Sequence, residues 1–305
     1  MNRPLTVVGA PSSIGIRPYD EGGVRRLDQA PGALRNQGLI RRLAARDAGD
    51  VLPPPYRDLV RPAGRPRNEQ GVADYCRSLG RQVAVAAEDG GFVLVLGGDC
   101  SIVLGCLLGV RRPGGLPVGL VYIDAHSDFA TPEQSRTGSA ASMCLALAVG
   151  RGDTPLARLG GDEPLASPAN VVLVGRRDDA DAPWYGQDAL RTSPLLDLPH
   201  TVVREQGPAA IVRTVLERLD RPGLGGFWIH VDADVLDPVA LPAVDSPEPG
   251  GLEIEELAEL LAPLVRHPRA LGLELTIYDP ALDPDRTSAA RLVELLERAF
   301  GQKSP

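Results

Sequence analysis

The chain has 305 residues, 43% of them hydrophobic, and a formal net charge of -8 with a single lysine, Lys303. Such an acidic balance excludes a polyanion-binding surface of the kind nucleic acids require, and no apolar run approaches the ~20 residues that span a bilayer. Four cysteines, Cys76, Cys100, Cys106 and Cys144, are too few for a disulfide framework at this length, which points to a reducing compartment. The N-terminal "MNRPLTVVGAP" lacks a signal-type apolar stretch, so a cytoplasmic protein is expected.

Short β-rich runs alternate with amphipathic stretches along the chain. The pattern predicts strands at Leu5–Gly9, Phe92–Leu96, Gly119–Ile123, Val171–Val174, Thr201–Val203, Gly226–Val231 and Leu271–Leu275. Helical periodicity falls between them, at Val72–Ala87, Ile102–Val110, Ala141–Val149, Ala209–Leu219, Glu253–Val265 and Ser288–Phe300. Continuous apolar strands separated by amphipathic helices predict a mostly parallel sheet covered on both faces, a three-layer α/β/α architecture. Pro/Gly-rich segments at 51–66, 111–117 and 152–168 read as surface loops rather than domain boundaries. One domain over residues 1–305 is the expected organisation.

In an open parallel sheet, ligands gather at the carboxyl ends of the strands. Three predicted strands end in unusual polar clusters: "GGDCS" after Leu96, "DAHSDF" after Ile123 and "DADVLDP" after Val231. Side chains alternate with period two along a strand, so Asp124, His126 and Asp128 can face one way, as can Asp232 and Asp234, with Asp237 a turn beyond. Crowded buried carboxylates repel one another and resist ionisation unless a cation offsets them. One or two divalent metals resolve the conflict, and carboxylates with imidazole suit Mn²⁺, Zn²⁺, Ni²⁺ or Fe²⁺. A pair of such ions sits ~3.5–4 Å apart and activates a shared water.

Each residue alone has a plainer reading: an Asp at a strand end is commonly a helix N-cap, and a single His on an apolar strand a hydrogen-bonded core residue. Two dense clusters after two apolar strands favour the metal. His230 lies one step deeper than Asp232, and a core or ligand-orienting role is expected there ahead of direct ligation. His200 and His267 stand in loop-like contexts with no expected chemistry. "GGDCS" lacks both the dinucleotide fingerprint and the phosphate-loop lysine, which excludes a nucleotide-binding reading.

In this order, "GGDCS", "DAHSDF" and "HVDADVLDP" closely resemble the three metal-binding motifs of the arginase/agmatinase (ureohydrolase) family. The likeness extends to "GGVRRLDQAPGALRNQGL", "PAVDSPEPGGL" and "LGLELTIYDP", from about Val7 to the C-terminal helix. It implies a binuclear manganese centre, a homo-oligomer, a small-molecule substrate, and hydrolysis of a guanidine by a metal-bound hydroxide. By position, Asp124 and Asp232 would bridge the metals, Asp128 would complete one shell, and His126 and Asp234 the other. Asp128 would also accept a hydrogen bond from the hydroxide.

The departures from the family pattern bear on substrate. Cys100 stands where the family has a metal-ligand His: it is either a small buried thiol or a thiolate ligand. The helix starting near Ser101 would help lower its pKa, and a thiolate favours Zn²⁺, Fe²⁺ or Ni²⁺ over Mn²⁺. Ala141 replaces the family's proton-shuttling His, Ala130 an Asn that contacts the amino acid carboxylate, and Ile277 the Glu that grips the guanidinium. Thr137, Ser139, Asp178 and Asp181, with Ser142 and Trp184, are the candidate pocket residues. The expectation is a metal-dependent hydrolase of a linear C–N bond (guanidine, amidine or amide) whose substrate differs from L-arginine. The alternative is a non-catalytic arginase-fold protein that binds metal or a small ligand.

Overall fold

A chain that alternates apolar strand and amphipathic helix must return each strand to the same edge of the sheet, which makes neighbouring strands parallel. The computed structural model, which describes residues 3–58, 60–178 and 186–301, follows this rule. Its strands are β1 Leu5–Gly9, β2 Arg46–Asp50, β3 Phe92–Leu96, β4 Gly119–Ile123, β5 Val171–Val174, β6 Leu196–Leu198, β7 Phe227–Asp232 and β8 Ala270–Thr276. They form one eight-stranded sheet in the order β2-β1-β3-β8-β7-β4-β5-β6, parallel at every pairing.

The helices are α1 Ala30–Asn36, α2 Leu39–Arg42, α3 Glu69–Ala86, α4 Ile102–Val110, α5 Cys144–Ala148, α6 Gln187–Thr192, α7 His200–Gln206, α8 Pro208–Leu219, α9 Ile254–Arg266 and α10 Thr287–Phe300. They flank the sheet in an α/β/α arrangement: α3 packs on α4 and α4 on α5, while α8, α9 and α10 pack in series and α1 joins α10. Among the described residues no helix is long and apolar enough to cross a membrane. Strands β3, β4 and β7 are buried at every position, which explains why β3 and β4 read as unbroken apolar runs and β7 as one interrupted only by His230 before it ends in Asp232.

Two edge strands escape the sequence pattern, and one predicted strand is a helix. Strand β2, "RDAGD", is mostly exposed and carries no apolar alternation; Arg35 ties it down through Asp47 at 2.9 Å and Asp50 at 2.5 Å. Thr201–Val203 lies inside α7, so the β-branched run misled. Pro199 precedes that helix and Gly207, at φ 76°, ends it, which are ordinary helix start and stop signals. The edge strand falls just before, at Leu196–Leu198. The predicted helix at Ala141–Val149 is a 3₁₀ turn, Ala141–Met143, followed by α5.

Insertion of β8 between β3 and β7 is what places the site. Four neighbouring strands, β3, β8, β7 and β4, then end along the same edge, and the register sets His230 beside both Glu274 and Tyr122. Helix α4 packs over β7 and β8.

Candidate metal centre

The end of β3 needs glycine because other backbone crosses it closely. A Cβ on Gly98 would lie 2.5 Å from the Ser12 carbonyl oxygen, and one on Gly97 2.6 Å from that of Leu275. Asp99 follows, fully buried, and accepts hydrogen bonds from Ser12 Oγ (3.0 Å), Gly15 N (3.1 Å), Ser101 N (3.1 Å) and Ser101 Oγ. The carboxylate thereby pins the 12–15 loop to the strand end and leaves Cys100 directed at β7. The Cys100 Sγ donates to Asp232 Oδ2 at 2.8 Å, with Thr276 Oγ1 at 3.4 Å.

At the end of β4, Asp124 Oδ1 accepts the His126 amide at 2.7 Å, a short turn that swings the imidazole toward β7. His126 Nδ1 reaches Asp234 Oδ2 at 3.0 Å. At the end of β7, Asp232 Oδ1 caps the next turn by accepting the Asp234 amide at 2.8 Å. Arg177 braces that turn from outside, donating to the carbonyls of Asp234 (2.8 Å) and Glu248 (2.7 Å).

Two sets of ligand-type atoms result, each with its members within 4.8 Å of one another: Cys100, Asp124, His230 and Asp232, and a second of Asp124, His126 and Asp234. Asp128 belongs to neither. It sits at φ 45°, and its Oδ2 accepts from Tyr122 Oη at 2.6 Å and from Cys144 Sγ at 3.2 Å. Asp237 stands apart, accepting the Val239 and Gly250 amides of its own loop.

The donor sets fit divalent ions. Asp124 Oδ2 and His230 Nε2 are buried without a hydrogen-bond partner, a costly state for polar atoms unless something unites them. Oxygen, nitrogen and sulfur donors around shared carboxylates match first-row divalent metals.

Electrostatics in the metal-free chain follow from burial and crowding. Burial, reinforced by Cys144 and Asp232, pushes the Cys100 thiol well up and outweighs the terminus of α4. Burial alone would raise Asp124, but His126 and His230 hold its carboxyl below the usual range. Burial and the Asp124 charge hold Asp128 far above it. Burial alone would lower His230, yet Asp124 and Glu274 raise it from 6.5 to about 9.

A histidine raised in this way stabilises the fold fully below pH 6.5 and loses that contribution as pH climbs through about 9. Asp128, raised too, also favours the protonated folded state, so its slope has the same sign. Chelated protein is therefore expected to lose melting temperature steadily between about pH 6.5 and 9. Thermal melts in EDTA would show this; a flat or rising midpoint across the window would contradict it.

Above the donors lies a cavity of about 160 Å³, lined among others by Arg17, Arg25, Cys100, His126, Asp128, Thr137, Ser139, Ala141, Ser142, Asp232, Asp234 and Ile277. Thr137 and Ser139, expected as pocket residues, are among its lining. Asp178 is buried and accepts the Ser127 amide (2.8 Å) and hydroxyl (2.7 Å), holding the loop between His126 and Asp128. Asp181 and Trp184 lie outside the described residues. Ala130 is buried and is not among the lining residues. Sequence reasoning missed Asp99, Arg177 and the wall pair formed by Arg25 and Asp245. Only the placement of Asp99 inside "GGDCS" hinted at its role.

The family model described as "Arginase family" matches residues 3–301. The chain belongs to the arginase family. The arginase of Bacillus caldovelox is 30% identical over 311 residues, covering 99% of each chain. Its structure at pH 5.6 matches with a TM-score of 0.86, covering 99% of this chain and 100% of that one. The structure of arginase from Bacillus subtilis matches over 100% of both chains with a TM-score of 0.85 and 27% identity. Formimidoylglutamase from Bacillus subtilis shares the fold at a TM-score of 0.76 and 19% identity, covering 98% of this chain and 87% of that one. Arginase-family membership implies a binuclear divalent-metal site, and the two overlapping donor sets sharing Asp124 accord with it.

Proposed function

We propose that this arginase-family protein is a metal-dependent hydrolase of a small linear C–N substrate that is not L-arginine. The observation that carries the reading is a cavity with metal-type donors on its floor and the apolar side chain of Ile277 on its wall. A carboxylate there would form paired, charge-assisted bonds to a guanidinium; isoleucine forms none. Ala141 on the same cavity carries no proton-transfer group. A cavity of about 160 Å³ is close to the ~150 Å³ that accommodates a benzene-sized molecule, so it suits the reacting end of a small amidine, amide or modified guanidine.

Asp124, His126, Asp232, Asp234 and Cys100 would hold the ions. Bound divalent ions supply Lewis acidity and lower the pKa of water. The chain's own residues do the rest. Asp128 borders the cavity with one oxygen fixed by Tyr122 and Cys144, which leaves its other oxygen to accept a hydrogen bond from water. Thr137, Ser139 and Ser142 offer small hydroxyls to a neutral polar group. Ser142 Oγ is held by the Ser139 carbonyl at 3.0 Å. Ile277 excludes water from its side of the cavity.

The test is a panel of guanidines, amidines, formimidoyl compounds and amides, assayed with Mn²⁺, Zn²⁺, Fe²⁺ or Ni²⁺. Metal-dependent turnover of a neutral or modified substrate, with L-arginine poor, is the expected result. Efficient L-arginine hydrolysis would overturn the substrate reading. The absence of Ala141 and Ile277 side-chain chemistry also favours a non-catalytic metal-binding protein; stoichiometric metal with no turnover on any panel member would establish that instead.

A further inference from the structure

We propose that His230 is the nitrogen ligand of the deeper ion, completing a Cys100–Asp124–His230–Asp232 set in which Glu274 positions the imidazole. The inference rests on the metallohydrolase reading above and assigns a ligand within it. His230 lies on β7, fully buried, with its ring stacked on Tyr122 at 4.1 Å between centroids. Its Nδ1 is bonded to Glu274 Oε1 at 2.7 Å across the β7–β8 pairing. Its Nε2 faces Asp124 Oδ2 at 3.7 Å, and neither atom has a hydrogen-bond partner.

That separation is too long for a hydrogen bond and close to the spacing of two atoms on one ion, each ~2.0–2.2 Å from it. An imidazole that gives one nitrogen to a metal and the other to a carboxylate is the usual way a ligand histidine is oriented. Glu274 is buried among strands, and its second oxygen is also unpartnered. Of the two ring nitrogens only Nδ1 is hydrogen-bonded; Nε2 has the Asp124 carboxylate facing it beyond hydrogen-bond distance.

The GGDCS strand end presents sulfur rather than imidazole, and the nitrogen donor would come from β7, which lies beyond β8 in the sheet. The two ions then differ in kind. Four protein donors of sulfur, oxygen and nitrogen close around the deeper ion, a set suited to Zn²⁺ or Co²⁺. Asp124, His126 and Asp234 give the other ion three donors, and His126 and Asp234 border the cavity. Cys100 and Asp232 of the first set line the same cavity, so what would distinguish the two ions is the number and kind of their protein donors, four against three.

The test uses the full chain loaded with Co²⁺ or Zn²⁺. Wild-type protein is expected to bind about two ions per chain, with a thiolate-to-Co²⁺ absorption lost in Cys100→Ser. His230→Gln should lose about one ion and alter the visible Co²⁺ bands. His126→Asn should lose the other ion and keep the thiolate absorption. Glu274→Gln should weaken the deeper ion ~10–100-fold. Unchanged stoichiometry, affinity and spectrum in His230→Gln would overturn the proposal while leaving the hydrolase reading intact. A wild-type protein that takes up neither ion would overturn both. Should His230→Gln fail to fold, zinc-edge anomalous scattering from wild-type crystals decides: an ion ~2.0–2.1 Å from Nε2 supports the assignment, and one beyond hydrogen-bond distance refutes it.

Discussion

Replacement of Asp232 by alanine is expected to lower turnover by roughly three orders of magnitude or more and to reduce bound metal. Asp232 stands in the same donor set as Cys100, Asp124 and His230, and its other oxygen caps the turn that carries Asp234. The substitution therefore removes one donor and loosens the placement of another. The metal-free protein should respond in the opposite sense. Burial, together with Asp234 and Asp124, pushes the Asp232 carboxyl well up, so this residue is a source of strain until a cation arrives. Asp232→Ala protein in EDTA should melt no lower than wild type, while the rise in melting temperature that metal gives wild type should vanish. Asp232→Asn keeps the shape and the turn cap and separates the two effects. Retention of a tenth of wild-type turnover by Asp232→Ala would count against a catalytic metal centre.

Ile277→Glu is expected to raise kcat/KM for alkylguanidines ~10–100-fold, the equivalent of one charge-assisted interaction of ~1.5–3 kcal/mol. Ile277 lines the cavity, and its amide donates to the Gly98 carbonyl at 3.0 Å, which fixes the position of the side chain. The residue also sits at φ 68°, a left-handed conformation that a β-branched side chain adopts only under strain. An unbranched glutamate fits that backbone more easily, but it adds a buried carboxylate to a cavity lined by Asp128, Asp232 and Asp234, so the variant should melt lower than wild type in EDTA and recover with metal. Turnover of neutral substrates should fall in the same variant, because a carboxylate would replace an apolar wall. Equal effects on guanidines and neutral substrates would show that Ile277 does not set selectivity.

The metal-type residues were legible because they interrupt buried strands. Asp124 and His126 follow a wholly apolar run, and Asp232 and Asp234 follow one broken only by His230, a pattern that a compensating charge makes reasonable. Ile277 and Ala141 were legible as departures from a family pattern, and both do border the cavity. Asp178, expected as a pocket residue from its place in an acidic loop, is placed against Ser127, whose amide and hydroxyl it accepts. Edge strands were the weak point. Strand β2 is polar because its outer side meets water, and three-residue β6 is too short for any periodicity. The run at 201–203 favoured a strand locally, and tertiary packing selected a helix instead.

By itself the sequence determined that the sheet is parallel and that metal-type residues gather at its carboxyl edge. Both conclusions come from local information: apolar runs, helical periodicity, and polar residues at strand ends. Only the tertiary structure decided which strands are neighbours. Strand β8 is last in the chain, yet it inserts between β3 and β7, and no local pattern encodes that choice. Because it does so, Glu274 meets His230, Thr276 meets Cys100, and an imidazole expected to lie in the core turns its free nitrogen toward Asp124. Side-chain type is written residue by residue, but a coordination set depends on distances across strands, and those exist only once the sheet has assembled.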